Sequence, residues 1–423
     1  MPRVPVRRLA AHMLTAPWER DALIDVARDV LSNRKDTPET IVAHVLSEWR
    51  QPYPPDAHTL AHLIAARIEI RSRRVPSCTE PPAGFQVPSF RELGLPVLDS
   101  AETLAELLAI TPGELIWLAD VQGRLSGTEK SGHYIQSWLP KHSGGRRLVE
   151  APLPRLKSAQ RHILCDMLKK VPVHPAAFGF VLGRSCLQSA SRHAGEEVVF
   201  GCDLANFFAS VPSRRVHAIF RCLGYPPEIA RLLVGLCTTR TPTDVANALL
   251  TRERAVWVQP HLPQGAPTSP ALANPAAWRL DVRLSGLARR LGANYSRYAD
   301  DLAFSGPRGL AFEGGVPVSE LVSEIASECG FRLNPAKTRI MGQGRRQQIT
   351  GVVVNSHINI PRRDYDRLKA LLTNCVRHGP ESQNRIAHPA FQEHLNGRIT
   401  WVENVNLRRG TKLRAIFDRI DWS

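Results

Sequence analysis

Between residues 132 and 356, short runs rich in β-branched and aromatic residues alternate with amphipathic helical stretches. EEVVFGCDL, ANYSRYADDLAFS and QQITGVVVNS have the texture of strands, whereas LKSAQRHILCDMLKK, SRRVHAIFRCLG and SPALANPAAWRLDVRLSGLARRL have that of helices. This alternation predicts a mixed α+β or α/β domain. The flanks read differently. Residues 1–74 are expected to be helical, because WERDALIDVARDVL and ETIVAHVLSEW place apolar residues at i, i+3, i+4 and i+7. Pro76, Pro81, Pro82, Pro88 and Pro96 make 75–100 a Pro-rich linker, since such density excludes regular helix and central strand. Residues 101–131 read as a helical hairpin split at Thr111-Pro112-Gly113, with a helix-turn-helix for duplex DNA as the sharper alternative. From 357 to 423 the pattern is helical again.

The 423-residue chain carries 55 Lys plus Arg against 39 Asp plus Glu, a net charge of +16. That excess points to a polyanionic partner, nucleic acid ahead of lipid. Of the basic residues 46 are Arg and nine Lys, and guanidinium suits bidentate phosphate contacts. The segment 139–170 holds eight of these cations against Glu150 and Asp166, enough for a basic helix face that tracks a template backbone. No apolar stretch is long enough to span a membrane, and the N-terminus lacks the apolar core of a secretory signal. The eight cysteines are scattered without a CxxC pair, the pattern of core thiols in a reducing cytoplasm rather than of a zinc site. GRLSGTEKS at 123–131 imitates a phosphate loop without its spacing, and neither GxSxG nor HExxH occurs.

Three segments concentrate the chemistry. An apolar run delivers Asp203, followed by Phe207 and Phe208; LPQGAPTSPALAN turns at Gly265 and Pro267 and opens a helix; Asp300-Asp301 break two strand-like runs as a hairpin tip would. Phosphoryl transfer with two Mg2+ ions needs a few carboxylates that hold the metals ~3.5–4 Å apart, and these three acids supply such a set. Taken alone, an Asp-Asp pair is equally a solvated turn.

The run from about Gln136 to Ser356 resembles bacterial reverse transcriptases, most closely the retron type. The resemblance rests on Leu139-Pro140-Lys141-His142-Ser143-Gly144-Gly145-Arg146-Arg147, Leu156-Lys157-Ser158-Ala159-Gln160-Arg161, Gly179-Phe180-Val181-Leu182-Gly183-Arg184-Ser185 and Asp203-Leu204-Ala205-Asn206-Phe207-Phe208. It continues through Gln264-Gly265-Ala266-Pro267-Thr268-Ser269-Pro270, Tyr298-Ala299-Asp300-Asp301 and Leu333-Asn334-Pro335-Ala336-Lys337-Thr338. The family's Asn-Ala-x-x-His signature reads Ser189-Ala190-Ser191-Arg192-His193 here, and its Val-Thr-Gly reads Ile349-Thr350-Gly351.

This resemblance implies a right-hand polymerase of fingers, palm with an antiparallel sheet and helical thumb (132–356 and 357–423), preceded by a helical N-terminal region. It implies Asp203, Asp300 and Asp301 as ligands of two Mg2+ ions, Leu204 as a carbonyl donor and Lys337 as general acid toward pyrophosphate. Phe208 would be the steric gate that selects dNTPs, with Phe207 and Phe208 on opposite faces if the strand alternation continues. Gln264 and Gly265 would line the nucleotide pocket, Gly265 allowing close backbone approach. Lys141 and Arg146 would fork onto the triphosphate, and Arg155, Lys157, Arg161 and Tyr298 would contact nucleic acid. The implied partners are a structured noncoding RNA serving as template and primer, its cDNA product, dNTPs and a retron effector protein, with a branched RNA–DNA product (msDNA) in antiphage defence. Bland alternatives stand beside these roles: core packing for the phenylalanines, an ordinary basic loop around Lys141, and phosphate contact or solvated charge for Lys337. At the level of the whole chain the alternatives are a non-retron bacterial defence reverse transcriptase and a catalytically silent RNA-binding or helix-turn-helix DNA-binding protein. Group II intron enzymes and a fused RNase H domain are not expected, because 67 residues follow Ser356 and they hold no Cys/His cluster.

Overall fold

The computed structural model describes residues 9–10, 12–14, 19–30, 38–48, 60, 64, 90–121, 132–141, 144–313 and 316–422. The Pro-rich stretch up to residue 89, the 123–131 segment, and His142 and Ser143 of the Lys141 motif lie outside the described residues. In chain order the principal elements are α1 (Arg20–Val30), α2 (Pro38–Glu48), α3 (Ala101–Leu107), α4 (Pro112–Ala119), β1 (Tyr134–Pro140), β2 (Arg146–Pro152), α5 (Pro154–His162) and α6 (Cys186–Ser191). They continue with β3 (Val198–Asp203), α7 (Ser213–Cys222), α8 (Pro227–Cys237), α9 (Ser269–Ala276), α10 (Trp278–Arg290), β4 (Asn294–Tyr298), β5 (Asp301–Gly306) and α11 (Val318–Glu328). Last come β6 (Arg339–Gly342), β7 (Gln348–Ile349), β8 (Val352–Val353), α12 (Arg362–His378), α13 (Phe391–Val405) and α14 (Leu407–Phe417). Among the described residues no helix is long and apolar enough to cross a membrane.

The chain divides into two compact units that interleave in sequence: Met1–His174 with Leu204–Leu284 and Ala311–Asn334, and Pro175–Asp203 with Ser285–Leu310 and Pro335–Ser423. In the first unit β1 and β2 form an antiparallel hairpin from Tyr134↔Pro152 to Pro140↔Arg146. Its loop closes through Gly144 and Gly145, both at positive φ, where a side chain would be strained. The 101–119 segment is the helical hairpin of two short helices. Ser100 and Thr103 form a capping box on α3, and Thr111 caps α4 with Pro112 in its first turn. The second of these helices packs on α8, with Gly235 so close to the Ala119 carbonyl that no Cβ fits between them.

The second unit is built on an antiparallel sheet of order β4-β5-β3-β6. The central strand β3 is buried at every position but Gly201, the expected behaviour of the unbroken apolar run VVFGC. Val199 and Ala303 lie in one apolar core with Leu368, Leu372, Leu395, Ile399, Val402 and Leu413 of α12, α13 and α14, so the C-terminal helices cover one face of the sheet. Between β7 and β8 a two-residue turn, Thr350 (φ 47°) and Gly351 (φ 85°), has the both-positive geometry of a type I′ hairpin.

Candidate active site

Three acids and one lysine meet at one end of the four-stranded sheet of the second unit. Asp203 is the last residue of β3 and lies directly opposite Asp301, the first residue of β5. Residues paired across an antiparallel ladder carry their Cβ atoms ~4.5–5.5 Å apart on one face, so these two carboxylates are neighbours by register alone. Asp300 sits in the turn between β4 and β5. That turn is Ala299-Asp300 rather than the expected Asp300-Asp301, because Tyr298 and Asp301 still pair as the last rung of the ladder. Ala299 takes the left-handed conformation (φ 57°) that a two-residue connection demands.

Lys337, in the one-turn helix Pro335–Lys337, donates from Nζ to Asp203 Oδ2 at 2.7 Å. The Asp203 side chain is 6% exposed and that of Lys337 53%. Burial, then the charges of Asp203 and Asp301, push Asp300 up from 3.8 to about 6. Asp301 moves the same way through desolvation and the charge of Asp203. Desolvation works to lower Lys337, but its hydrogen bond to Asp203 and the surrounding acids raise it on balance. Three carboxylates against one ammonium leave a local deficit of positive charge, and oxygen donors crowded in this way suit a hard cation. Among the described residues no three His, Cys, Asp or Glu side chains form a closed ligand set. Mg2+ does not need one, since it is held by one or two carboxylates and otherwise by water and phosphate oxygens.

The framework beneath the acids joins Arg297, which the sequence patterns do not single out, to Gly179 and the Ser189–His193 motif. Arg297 of β4 is fully buried, and its guanidinium donates to the Ala299 carbonyl at 3.0 Å. The 176–178 backbone runs beside β4, with Arg297 N donating to Ala176 O at 2.8 Å and Phe178 N to Arg297 O at 2.7 Å. Gly179 then lies flush on the Ala299 amide, leaving no volume for a Cβ. Behind the turn strands, His193 bonds Ser296 Oγ and Ser305 Oγ, each at 2.7 Å, and Ser189 Oγ meets Ser296 Oγ at 2.9 Å. Burial, with Arg192 nearby, lowers His193 from 6.5 to about 4. The Ser189-Ala190-Ser191-Arg192-His193 segment is therefore a brace between α6 and the strands that carry the acids.

Of the other candidate residues, all but Tyr298 belong to the first unit. Lys141 and Arg146 are exposed at the ends of the β1–β2 loop, where Lys141 N donates to Gly145 O at 3.0 Å. Phe207 is buried against Phe331, while Phe208 is half-buried. Their difference does not come from strand alternation: β3 ends at Asp203, and residues 205–210 form consecutive turns. Gln264 and Gly265 precede α9, which starts at Ser269 as the sequence implies. Gly265 does have a close backbone neighbour, but it is Glu150 of this chain: a Cβ at φ +142° would come 2.8 Å from the Glu150 carbonyl oxygen. On α5, Lys157 and Arg161 point outward, opposite the buried Leu156, Ala159 and Gln160. Arg155 is exposed but pairs with Glu114 at 3.3 Å, so the basic face is partly neutralised. Tyr298, half-buried, closes β4.

A sequence model of the family described as reverse transcriptase (RNA-dependent DNA polymerase) matches residues 139–354. The Retron Mx65 reverse transcriptase of Myxococcus xanthus is 40% identical over 323 residues, 76% of this chain and 71% of that one. The Retron Mx162 reverse transcriptase of the same organism is 39% identical, covering 78% of this chain and 70% of its own length. The Retron Ec86 reverse transcriptase of Escherichia coli is 28% identical, covering 78% and 92%.

Proposed function

This chain belongs to the reverse transcriptase family and is of the retron type, an RNA-directed DNA polymerase; we propose that Asp203, Asp300 and Asp301 are its catalytic acids and hold two Mg2+ ions. The observation that carries this reading is the facing of Asp203 and Asp301 across β3 and β5 with Asp300 on the adjoining turn. When bound, the metal supplies activation of the attacking hydroxyl and charge neutralisation on the phosphates. Everything else falls to side chains. Lys337, hydrogen-bonded to Asp203 at 2.7 Å, is the group that gives a proton to the pyrophosphate oxygen. Lys141 and Arg146 take the triphosphate, Gln264 and Gly265 line the nucleotide pocket, and Arg155, Lys157, Arg161 and Tyr298 follow the template backbone.

The substrate is a structured noncoding RNA that serves as template and primer, with dNTPs as the second substrate and a branched RNA–DNA molecule as the product. We assign the protein to the cytoplasm and to antiphage defence with an effector partner, on the strength of its similarity to the retron enzymes. Purified protein given a primed RNA template, Mg2+ and labelled dNTPs should extend the primer. Binding of RNA without incorporation under any divalent metal would sink the assignment.

Phe208 serves as the gate against the ribose 2′-OH. Its replacement by Ala should raise ribonucleotide incorporation on the order of tenfold to a hundredfold relative to dNTPs, the worth of ~1–3 kcal/mol of steric discrimination. Competition between labelled rNTPs and dNTPs measures this. Unchanged discrimination would return Phe208 to a packing role beside Phe207, whose ring centroid is 5.6 Å away.

A further inference from the structure

Glu150 and His261 are both 0% exposed, and neither has a part in the chemistry described above. The His261 Nε2 to Glu150 Oε2 distance is 3.0 Å, and Thr241 Oγ1 donates to Glu150 Oε1 at 2.8 Å. His261 Nδ1 lies 2.6 Å from the Gln259 carbonyl, which can only accept, so Nδ1 donates there and Nε2 is left to the carboxylate. The backbone is pinned as tightly. His261 and Thr239 exchange both of their main-chain hydrogen bonds at 2.9 Å, Leu262 N donates to Val211 O at 3.1 Å, and Ser213 N donates to Pro260 O at 2.8 Å. Two residues beyond Leu262, Glu150 N donates to Gln264 O at 2.9 Å, and Gly265 packs on the Glu150 carbonyl.

A carboxylate and an imidazole taken wholly out of water are a costly way to fill space. An apolar pair would pack there without fixing any direction, whereas every polar atom of this pair has a partner at a set angle. The cluster joins two elements: β2, which begins at Arg146, and the loop that carries Gln264 and Gly265. We infer that the Glu150–His261 pair is a strut that sets the distance between the β1–β2 hairpin and the Gln264–Gly265 loop, and thereby the affinity for the incoming dNTP. Glu150 and His261 are thus positioning residues. The inference rests on the proposed nucleotide role of Gln264, Gly265, Lys141 and Arg146.

The test is steady-state dNTP incorporation on a primed RNA template by His261→Leu, Thr241→Val, Glu150→Gln and Gln264→Ala, with amide hydrogen exchange over residues 259–266. His261→Leu should raise the dNTP KM on the order of tenfold to a hundredfold, the scale of a misplacement of about 1 Å, with kcat and RNA affinity close to the parent's. Glu150→Gln should rescue: its amide oxygen still accepts from Thr241 and its amide N–H donates to Nε2. Thr241→Val, which keeps the volume and deletes one bond, should show the same shift to a smaller degree and replaces His261→Leu if that variant does not fold. If Gln264→Ala raises KM but His261→Leu and Thr241→Val do not, the strut is wrong. If Gln264→Ala leaves KM unchanged, the nucleotide-pocket reading is what has failed. Exchange over 259–266 then decides the strut: faster in His261→Leu upholds the mechanical link, and unchanged exchange overturns it.

Discussion

Replacing Asp300 by Asn is expected to give a protein that no longer extends a primer yet, in metal-free buffer at pH 7, melts at a higher temperature than its parent. The loss of activity follows from removing a charged oxygen from the proposed metal site. Several kcal/mol of transition-state stabilisation depend on such a site, and each ~1.4 kcal/mol is a factor of ten, so a fall of about a thousandfold or more is expected. The gain in stability follows from the shift of Asp300 to about 6. A carboxyl raised in the folded state binds its proton more tightly there than in the unfolded chain, so its contribution favours folding on the acid side. That contribution is lost as pH rises from the unfolded value, ~3.9, through the folded one. At pH 7 the ionised group therefore costs the fold about 1–3 kcal/mol, which an amide of the same shape does not. Calorimetric melting of the two proteins with and without Mg2+ checks both halves: the metal should stabilise the parent by more than it stabilises the variant. A parent more stable than the variant in chelator would mean that the acid cluster is not strained.

The same experiment repeated at lower pH separates Asp300 from His193. His193 is depressed from 6.5 to about 4, so its contribution to stability is present above 6.5 and lost as pH falls toward 4. In the parent, proton uptake by Asp300 works in the opposite direction across the same interval. Without that uptake the Asp300→Asn variant should lose melting temperature more steeply between pH 7 and 5. Equal slopes would place the acid-sensitive group elsewhere.

How much of this was readable beforehand depended on the range of each contact. The apolar run ending at Asp203 is a local pattern, and the sheet buries it as one strand, whereas the polar break at Asp300-Asp301 marks the turn only to within one residue. The capping sequence around Thr111 likewise sets the break in the helical hairpin without help from the rest of the fold. The shift of the turn by one residue was not readable, because it depends on Tyr298 and Asp301 pairing across the ladder rather than on turn chemistry. The separation of Phe207 from Phe208 was expected, but from strand alternation, which is not its cause. Period-2 reasoning assumes an extended chain, and the chain leaves β3 at Asp203 before it reaches them. Arg297, Glu150 and His261 were invisible for a stronger reason. A buried ion or imidazole is recognisable only with its partners, and Glu150 and His261 stand 111 positions apart. Gly265 shows a different limit: the pattern suggested a glycine that lets backbone approach a nucleotide, and the group packed against it is the Glu150 backbone of this chain.

Gly179→Ala is the smallest change expected to disable the enzyme without touching an acid. Gly179 has no positive φ to explain it; what it offers is the lack of a Cβ where the 176–179 segment meets the Ala299 amide. An added methyl overlaps the Tyr298–Ala299 backbone, so relief requires the β4–β5 turn to move. That turn is already held from below by Arg297, whose guanidinium donates to Ala299 O, and by the pairing of Tyr298 with Asp301. The displacement therefore passes to Asp300, the next residue. Overpacking of this kind costs about 1–3 kcal/mol of stability, a loss a folded protein survives, whereas a misplacement of about 1 Å at a reacting centre costs on the order of a hundredfold in rate. The variant should consequently remain folded and bind RNA while kcat for dNTP addition drops by roughly that factor with dNTP KM little changed. Raising Mg2+ should recover part of the loss if the shift weakens metal binding. Full activity in a folded variant would mean that the turn tolerates movement, and that the position of Asp300 is not what limits the rate.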